Sequence, residues 1–176
     1  IPRLGLQPTF VGSSVLGAMG GILVVFVAIL PGSRRRALLS TAGLVAALAA
    51  VFAVLPPWDR QLLASGAYKY SRDLDPDVLD ATLRAGTLEY YQEGAAGTVS
   101  VRRVAGSRAL AIDGKVDASN AGDMLTQRLL GLLPVLLHPQ PRDALVIGLG
   151  SGVTADAVLA SGEIQHLDIV EISPEV

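Results

Sequence analysis

The sequence predicts three parts in succession: a transmembrane α-hairpin, a small antiparallel β-domain, and the first βαβ part of an α/β domain that is truncated. Three observations predict them. Charge is segregated, with four arginines and no acid in residues 1–58, against ten Lys or Arg and sixteen Asp or Glu in residues 59–176, a net charge of −6. Two long uncharged apolar runs fill the first part. A glycine-rich turn set between two apolar runs marks the last. A chain that is 51% hydrophobic is not a disordered one. The absence of cysteine excludes a disulfide scaffold and a Cys-ligated zinc site. No basic face interleaved with aromatics supports nucleic-acid binding, and we expect neither a nucleic-acid partner nor a metal.

Phe10 to Leu30 is a run of 21 residues without a charge. As a helix it would be roughly 31 Å long, matching the hydrocarbon core of a bilayer. Pro31-Gly32 stops it and Arg34-Arg35-Arg36 forms a short basic loop. Ala37 to Leu55 is a second uncharged run of 19 residues, closed by Pro56-Pro57 and Trp58. The spans are therefore placed at about 10–30 and 37–55, with Trp58 as an interfacial anchor. Small residues recur at spacing four, Ser13, Gly17 and Gly21 on the first span and Ala42, Ala46 and Ala50 on the second. They would allow packing on each other or on further helices. The arginine triplet argues for a cytoplasmic loop, but Arg3, Arg60, Lys69 and Arg72 balance it from the other side.

Residues 59–118 read as a connector and a β-meander. Asp75-Pro76 is an N-cap and N1 pair that predicts a short helix to about Arg84. Thr87 to Gln92, Thr98 to Val104 and Arg108 to Ile112 are strand-like, the second with clean period-two alternation. Asp113-Gly114 is a strong turn dipeptide that itself requires Asp113. Residues 119–176 begin the α/β domain. Asn120 to Leu137 has helical spacing, with Pro134 expected to end or kink it. Ala144 to Ile147 is a continuous apolar run, as in a strand buried on both faces. Gly148-Leu149-Gly150-Ser151-Gly152 follows, then a helical pattern from Val153 to Leu159, then a second apolar strand, Leu167 to Ile172, ending at Glu171. Strand, glycine loop, helix and strand with a terminal acid make a Rossmann-like unit. The glycines let the chain turn tightly, the helix N-terminus offers free N–H groups, and the acid can accept two hydrogen bonds from a ribose diol. Glu171 lies 21 residues after Gly150, near the expected spacing of about 20. Neither a dinucleotide fold nor a methyltransferase fits cleanly, because Val153 and Val146 stand where those patterns want Gly or Ala and an acid.

From Ile112 to Val176 the chain resembles the spermidine synthase (aminopropyltransferase) family. The resemblance is carried by Ile112-Asp113-Gly114, Gln127 ahead of Leu133-Pro134, His138-Pro139-x-Pro141, Val146-Ile147-Gly148-x-Gly150-x-Gly152, and Val170-Glu171-Ile172 before Val176. Thr87 to Ile112 resembles that family's N-terminal β-domain. The whole looks most like bacterial membrane-fused spermidine synthase-like proteins, whose synthase-like part follows transmembrane helices. The resemblance implies transfer of an aminopropyl group from decarboxylated S-adenosylmethionine to a polyamine. It implies an S-adenosyl-ligand site at Gly148, Gly150, Gly152 and Glu171, and amine contacts at Gln127, Ser151 and Asp117. It further implies a homodimer or homotetramer, and no metal.

Three positions depart from the family pattern. Ser151 stands where an Asp is usual, Thr126 where a Tyr is usual, and Gly97 where a Gln is usual. Losing a carboxylate beside a cationic amine removes charge-assisted binding, which puts putrescine in doubt. The family's catalytic Asp falls beyond Val176, so no residue here is assigned as catalytic. We expect a fragment of a longer protein, inactive by itself. Asp123 starts or caps its helix, and His138 and His166 are isolated. The alternatives are another S-adenosyl-ligand transferase, such as a methyltransferase, and a non-catalytic membrane nucleoside-binding module. The cofactor's home places the soluble part on the cytoplasmic side of a bacterial inner membrane, in a multi-pass protein.

Overall fold

A computed structural model describes residues 5–28 and 34–176. The chain divides into two compact units, Ile1–Trp58 and Asp59–Val176. In the first, helix α1 spans Leu6–Ala28 and α2 spans Arg34–Val54. Arg3, Leu30 and the Pro31-Gly32 stop lie outside the described residues. The arginine triplet, expected in a loop, forms the first turn of α2. Among the described residues one helix, α1, is long and apolar enough to cross a membrane; the apolar segment of α2, Thr41–Val54, is shorter.

Thr9, Ser13 and Ser14 turn their hydroxyls back onto the carbonyls of Gly5, Thr9 and Phe10 at 2.7–2.9 Å, so these polar groups are satisfied within the helix. Gln7 fastens one end of the unit. Its Nε2 donates to the Pro56 carbonyl at 3.4 Å, its Oε1 accepts from the Trp58 N–H at 3.0 Å, and Phe10 lies 6.0 Å from the Trp58 ring. Half-covered positions among the described residues include Leu6, Val11, Ala18 and Ile22 on α1 and Thr41, Leu48 and Phe52 on α2. Ser13, Gly17 and Gly21 are exposed, with open space around both glycines, and so are Ala42, Ala46 and Ala50. The two small-residue stripes therefore do not form the contact between these helices.

The second unit opens with short helical turns where the sequence suggested a polar connector: α3 (Arg60–Leu63), α4 (Ala67–Tyr70) and a 3-10 turn, Ser71–Asp73. Asp59 caps α3 by accepting from the N–H groups of Gln61 and Leu62. Asp75 instead closes a turn through the Asp77 N–H at 3.0 Å, and α5 is only Leu79–Leu83.

Four antiparallel strands follow in sheet order β1-β2-β3-β4: β1 (Thr87–Glu93), β2 (Thr98–Val104), β3 (Ser107–Ile112) and β4 (Lys115–Ser119). The predicted meander is present and has one strand more than expected. Asp113 and Gly114 both hold positive φ, 49° and 77°, as a two-residue hairpin turn demands. The Asp113 carboxylate accepts from the Thr98 N–H at 2.8 Å.

Helix α6 (Met124–Leu137) starts four residues later than the pattern suggested and continues past Pro134, with the His138 N–H bonded to the Pro134 carbonyl. Strand β5 (Asp143–Ile147), α7 (Val153–Ala160) and β6 (His166–Val170) complete the βαβ unit. β5 and β6 pair in parallel, Asp143 opposite His166 through Ile147 opposite Val170. Val135, Val146 and Val158 form the core, with Ala144, Ile164 and Leu167 packed against it. A side chain at Gly131 would come within 2.5 Å of the Thr154 carbonyl, so glycine there lets α6 lie directly on α7.

Candidate functional site

β5 runs straight into the glycine loop. Gly148, Gly150 and Gly152 hold φ of 89°, 54° and 77°, values that L side chains avoid, which is why these three positions are glycine. The Gly148 N–H donates to the Val170 carbonyl at 2.7 Å and extends the parallel ladder by one rung. The Gly152 N–H closes the turn on the Leu149 carbonyl at 2.9 Å, and Gly152 then serves as the N-cap of α7.

Because Ile147 is level with Val170, the residue after β6 emerges beside the start of the loop. That residue is Glu171. Its Oε2 accepts from the Leu149 N–H at 2.7 Å and its Oε1 from the Ser173 N–H at 2.9 Å. These bonds, led by the one from Ser173 and then that from Leu149, hold the carboxyl below the ordinary glutamate range. A carboxylate oxygen has two lone-pair directions, so each Glu171 oxygen keeps acceptor capacity after its backbone bond. The group is ionised and fixed in orientation by backbone N–H groups of the loop and of the segment after β6.

The carboxylate lies on the wall of a cleft of about 280 Å³. One side is the meander, through Gly97, Val99, Leu110 and Ile112; the other is Gly148, Gly150, Glu171 and Ser173. The Tyr90 hydroxyl donates to the Glu175 carbonyl at 2.9 Å and ties the meander to the segment after β6. An apolar floor with the oriented Glu171 carboxylate and glycine backbone at the rim suits a flat ring carrying a polar diol. A larger hollow, about 720 Å³, runs along β5 and α6, and none of Glu171, Gln127 or Ser151 lines it.

Four of the residues singled out from sequence, Gly148, Gly150, Glu171 and Asp117, come together in the cleft, although Asp117 is in an ion pair with Lys115. Gln127 and Ser151 are not in its lining but bond to each other, the Ser151 hydroxyl donating to the Gln127 Oε1. Asp123 occupies the N-cap position of α6 without capping it; its carboxylate accepts from the Ser119 N–H at 2.8 Å and from the Ser119 hydroxyl. Exposed His138 takes the Gln140 N–H on its Nδ1 at 3.2 Å, and exposed His166 faces Asp168 at 3.3 Å. Neither histidine lines the cleft. Among the described residues, no group of three or more His, Cys, Asp or Glu could hold a metal ion.

Sequence reasoning missed Ser173. It is buried, orients Glu171 through its N–H, and donates its hydroxyl to Glu175 at 2.8 Å. A small hydroxyl residue two positions after an acid, before a proline, is the signal that could have found it.

The order of elements and the parallel register place residues 119–176 among α/β units of Rossmann-like design. Within that class the resemblance is to the spermidine synthase (aminopropyltransferase) family, and comparison with known proteins bears it out. The polyamine aminopropyltransferase of Lachnoclostridium phytofermentans is 30% identical over 69 residues, 39% of this chain and 24% of that protein. The enzyme of the same name from Pyrococcus abyssi is 41% identical over 69 residues, covering 39% and 25%. Polyamine aminopropyltransferase 2 of Pseudomonas aeruginosa is 32% identical over 69 residues, covering 39% and 20%. The chain thus spans about a quarter of the length of these relatives. No family model matches it. Two solved structures, a spermidine synthase in complex with the transition-state analogue AdoDATO and the spermidine synthase of Thermotoga maritima, each align with a TM-score of 0.47 and 22% identity. Each alignment covers 49% of this chain and 31% of the other.

Proposed function

We propose that this chain is part of a membrane-anchored spermidine synthase-like protein that transfers an aminopropyl group from decarboxylated S-adenosylmethionine to a polyamine. One observation carries the reading: the Glu171 carboxylate, at the end of the second parallel strand, is aimed across the sheet into the glycine loop and held there by the Leu149 and Ser173 N–H groups. In that position it would accept the two ribose hydroxyls of the nucleoside, whose base would lie over Val99, Leu110 and Ile112. The aminopropyltransferase names of the relatives favour this donor over that of a methyltransferase.

The reaction joins the lone pair of a neutral amine to the carbon beside a sulfonium, with the thioether leaving and a proton lost from the amine. A carboxylate must take or orient that proton. We assign that role to no residue of this chain. Its own residues would bind and orient the nucleoside and, through Asp117, Gln127 and Ser151, contact the amine.

Calorimetry with methylthioadenosine tests the reading. The chain should bind it, and Glu171→Ala should weaken binding by about tenfold or more, the loss of hydrogen bonds to a charged acceptor. Unchanged affinity in the variant would overturn the ribose role. The apolar run of α1 supports the membrane anchor, and we propose that the domain lies on the cytoplasmic side. Since the chain has no cysteine, Glu163→Cys in inverted inner-membrane vesicles should react with an impermeant maleimide. Protection there, with labelling in intact spheroplasts, would reverse the orientation.

A further inference from the structure

We infer that Asp123 is a positioning residue for the glycine loop, acting through the amide of Gln127 and the hydroxyl of Ser151. Asp123 and Gln127 are four apart at the start of α6 and so lie on one face of it. The Gln127 Nε2 donates to the Asp123 Oδ2 at 2.9 Å and to the Ser119 carbonyl at 3.0 Å. A carboxylate and a carbonyl can only accept, so the NH₂ end of the amide must face them and Oε1 must face the other way. That direction is toward Ser151, whose hydroxyl bonds to Oε1.

The amide could not flip without setting its oxygen against two acceptors. Asp123 is itself pinned by the N–H and hydroxyl of Ser119, at the end of β4. The chain of bonds therefore runs from the β-meander through α6 to the middle of the loop. A second fastening lies beside it, the Thr154 hydroxyl donating to the Gln127 carbonyl at 3.1 Å. The side chains of the loop's own residues make no other hydrogen bond among those the structure shows. Asp123 thus fastens the loop at Ser151, between Gly150 and Gly152, although it is not in the cleft lining. Its consequence for ligand binding rests on the nucleoside reading above; its consequence for the loop does not.

Two measurements on the 176-residue chain in detergent test it: amide hydrogen exchange over residues 148–152, and calorimetric affinity for methylthioadenosine. Asp123→Ala and Ser151→Ala each break the bonded path to the loop, and each should speed loop exchange about fivefold to tenfold and weaken the nucleoside by a similar factor. Exchange in β2 and β3 should stay as it was. Ser151→Thr, which keeps the hydroxyl on an exposed residue, should restore both readouts. Loop exchange untouched by Asp123→Ala, or speeded equally across the meander, would overturn the inference, even with Glu171→Ala weakening the nucleoside. Loop exchange that responds, in a chain with no affinity for methylthioadenosine, would uphold the latch and remove the nucleoside reading alone.

Discussion

Gly131→Ala probes how tightly the site's scaffold is built. In an open helix this change stabilises by about 1 kcal/mol, because alanine has the better helix propensity. Here the added methyl would lie 2.5 Å from the Thr154 carbonyl oxygen, 3.0 Å from the Ala157 Cβ and 3.2 Å from the Val158 N. Two of these neighbours are backbone atoms of α7, so a rotamer change cannot relieve the contact. The helices must separate by several tenths of an ångström, and overpacking of this kind costs about 1–3 kcal/mol. Set against the propensity gain, the net expectation is a loss of up to about 2 kcal/mol, or a fall of up to several degrees in Tm for the second unit. Because Thr154 also binds the Gln127 carbonyl, the shift should reach the loop. Urea unfolding followed by circular dichroism measures the stability, with Gly122→Ala as the control, since Gly122 has open space around it. Equal or higher stability in Gly131→Ala would refute the reasoning that α6 and α7 meet backbone to backbone.

Asp113→Ala should cost about 1–2 kcal/mol, since it loses the bond to the Thr98 N–H and forces alanine into positive φ, whereas Asp113→Asn should keep most of the stability; thermal melts of the two variants decide it. The depressed Glu171 carboxyl contributes stability that is fully present above the ordinary glutamate value of 4.5 and is lost as pH falls through its lower folded value. The Tm difference between the native chain and Glu171→Gln should accordingly be flat above pH 5 and shrink only below about pH 4.5; a difference that grows with acid would contradict the hydrogen-bonded, ionised form.

Much of the site was legible because its signals are local. A glycine loop between two apolar runs fixes strand, turn and helix, and the distance to Glu171 places the acid at the end of the neighbouring strand. The cleft's apolar floor was not, since Val99, Leu110 and Ile112 meet the loop only through tertiary packing. β4 was missed because Lys115, Asp117 and Ser119 leave only Val116 and Ala118 as apolar alternation, although a two-residue Asp-Gly turn implies a strand on each side of it. Asp75-Pro76 promised a helix start, but its side chain found the Asp77 N–H first. Gln127 and Ser151 were singled out for a substrate, and their bond to each other was unreadable because 24 residues separate them.

The most direct test compares two ligands on two proteins: methylthioadenosine and its 2′,3′-dideoxy form, titrated against the native chain and against Glu171→Ala. If Glu171 grips the sugar, removing the diol should cost the native chain about tenfold in Kd and cost the variant almost nothing. An equal cost in both proteins would contradict the account.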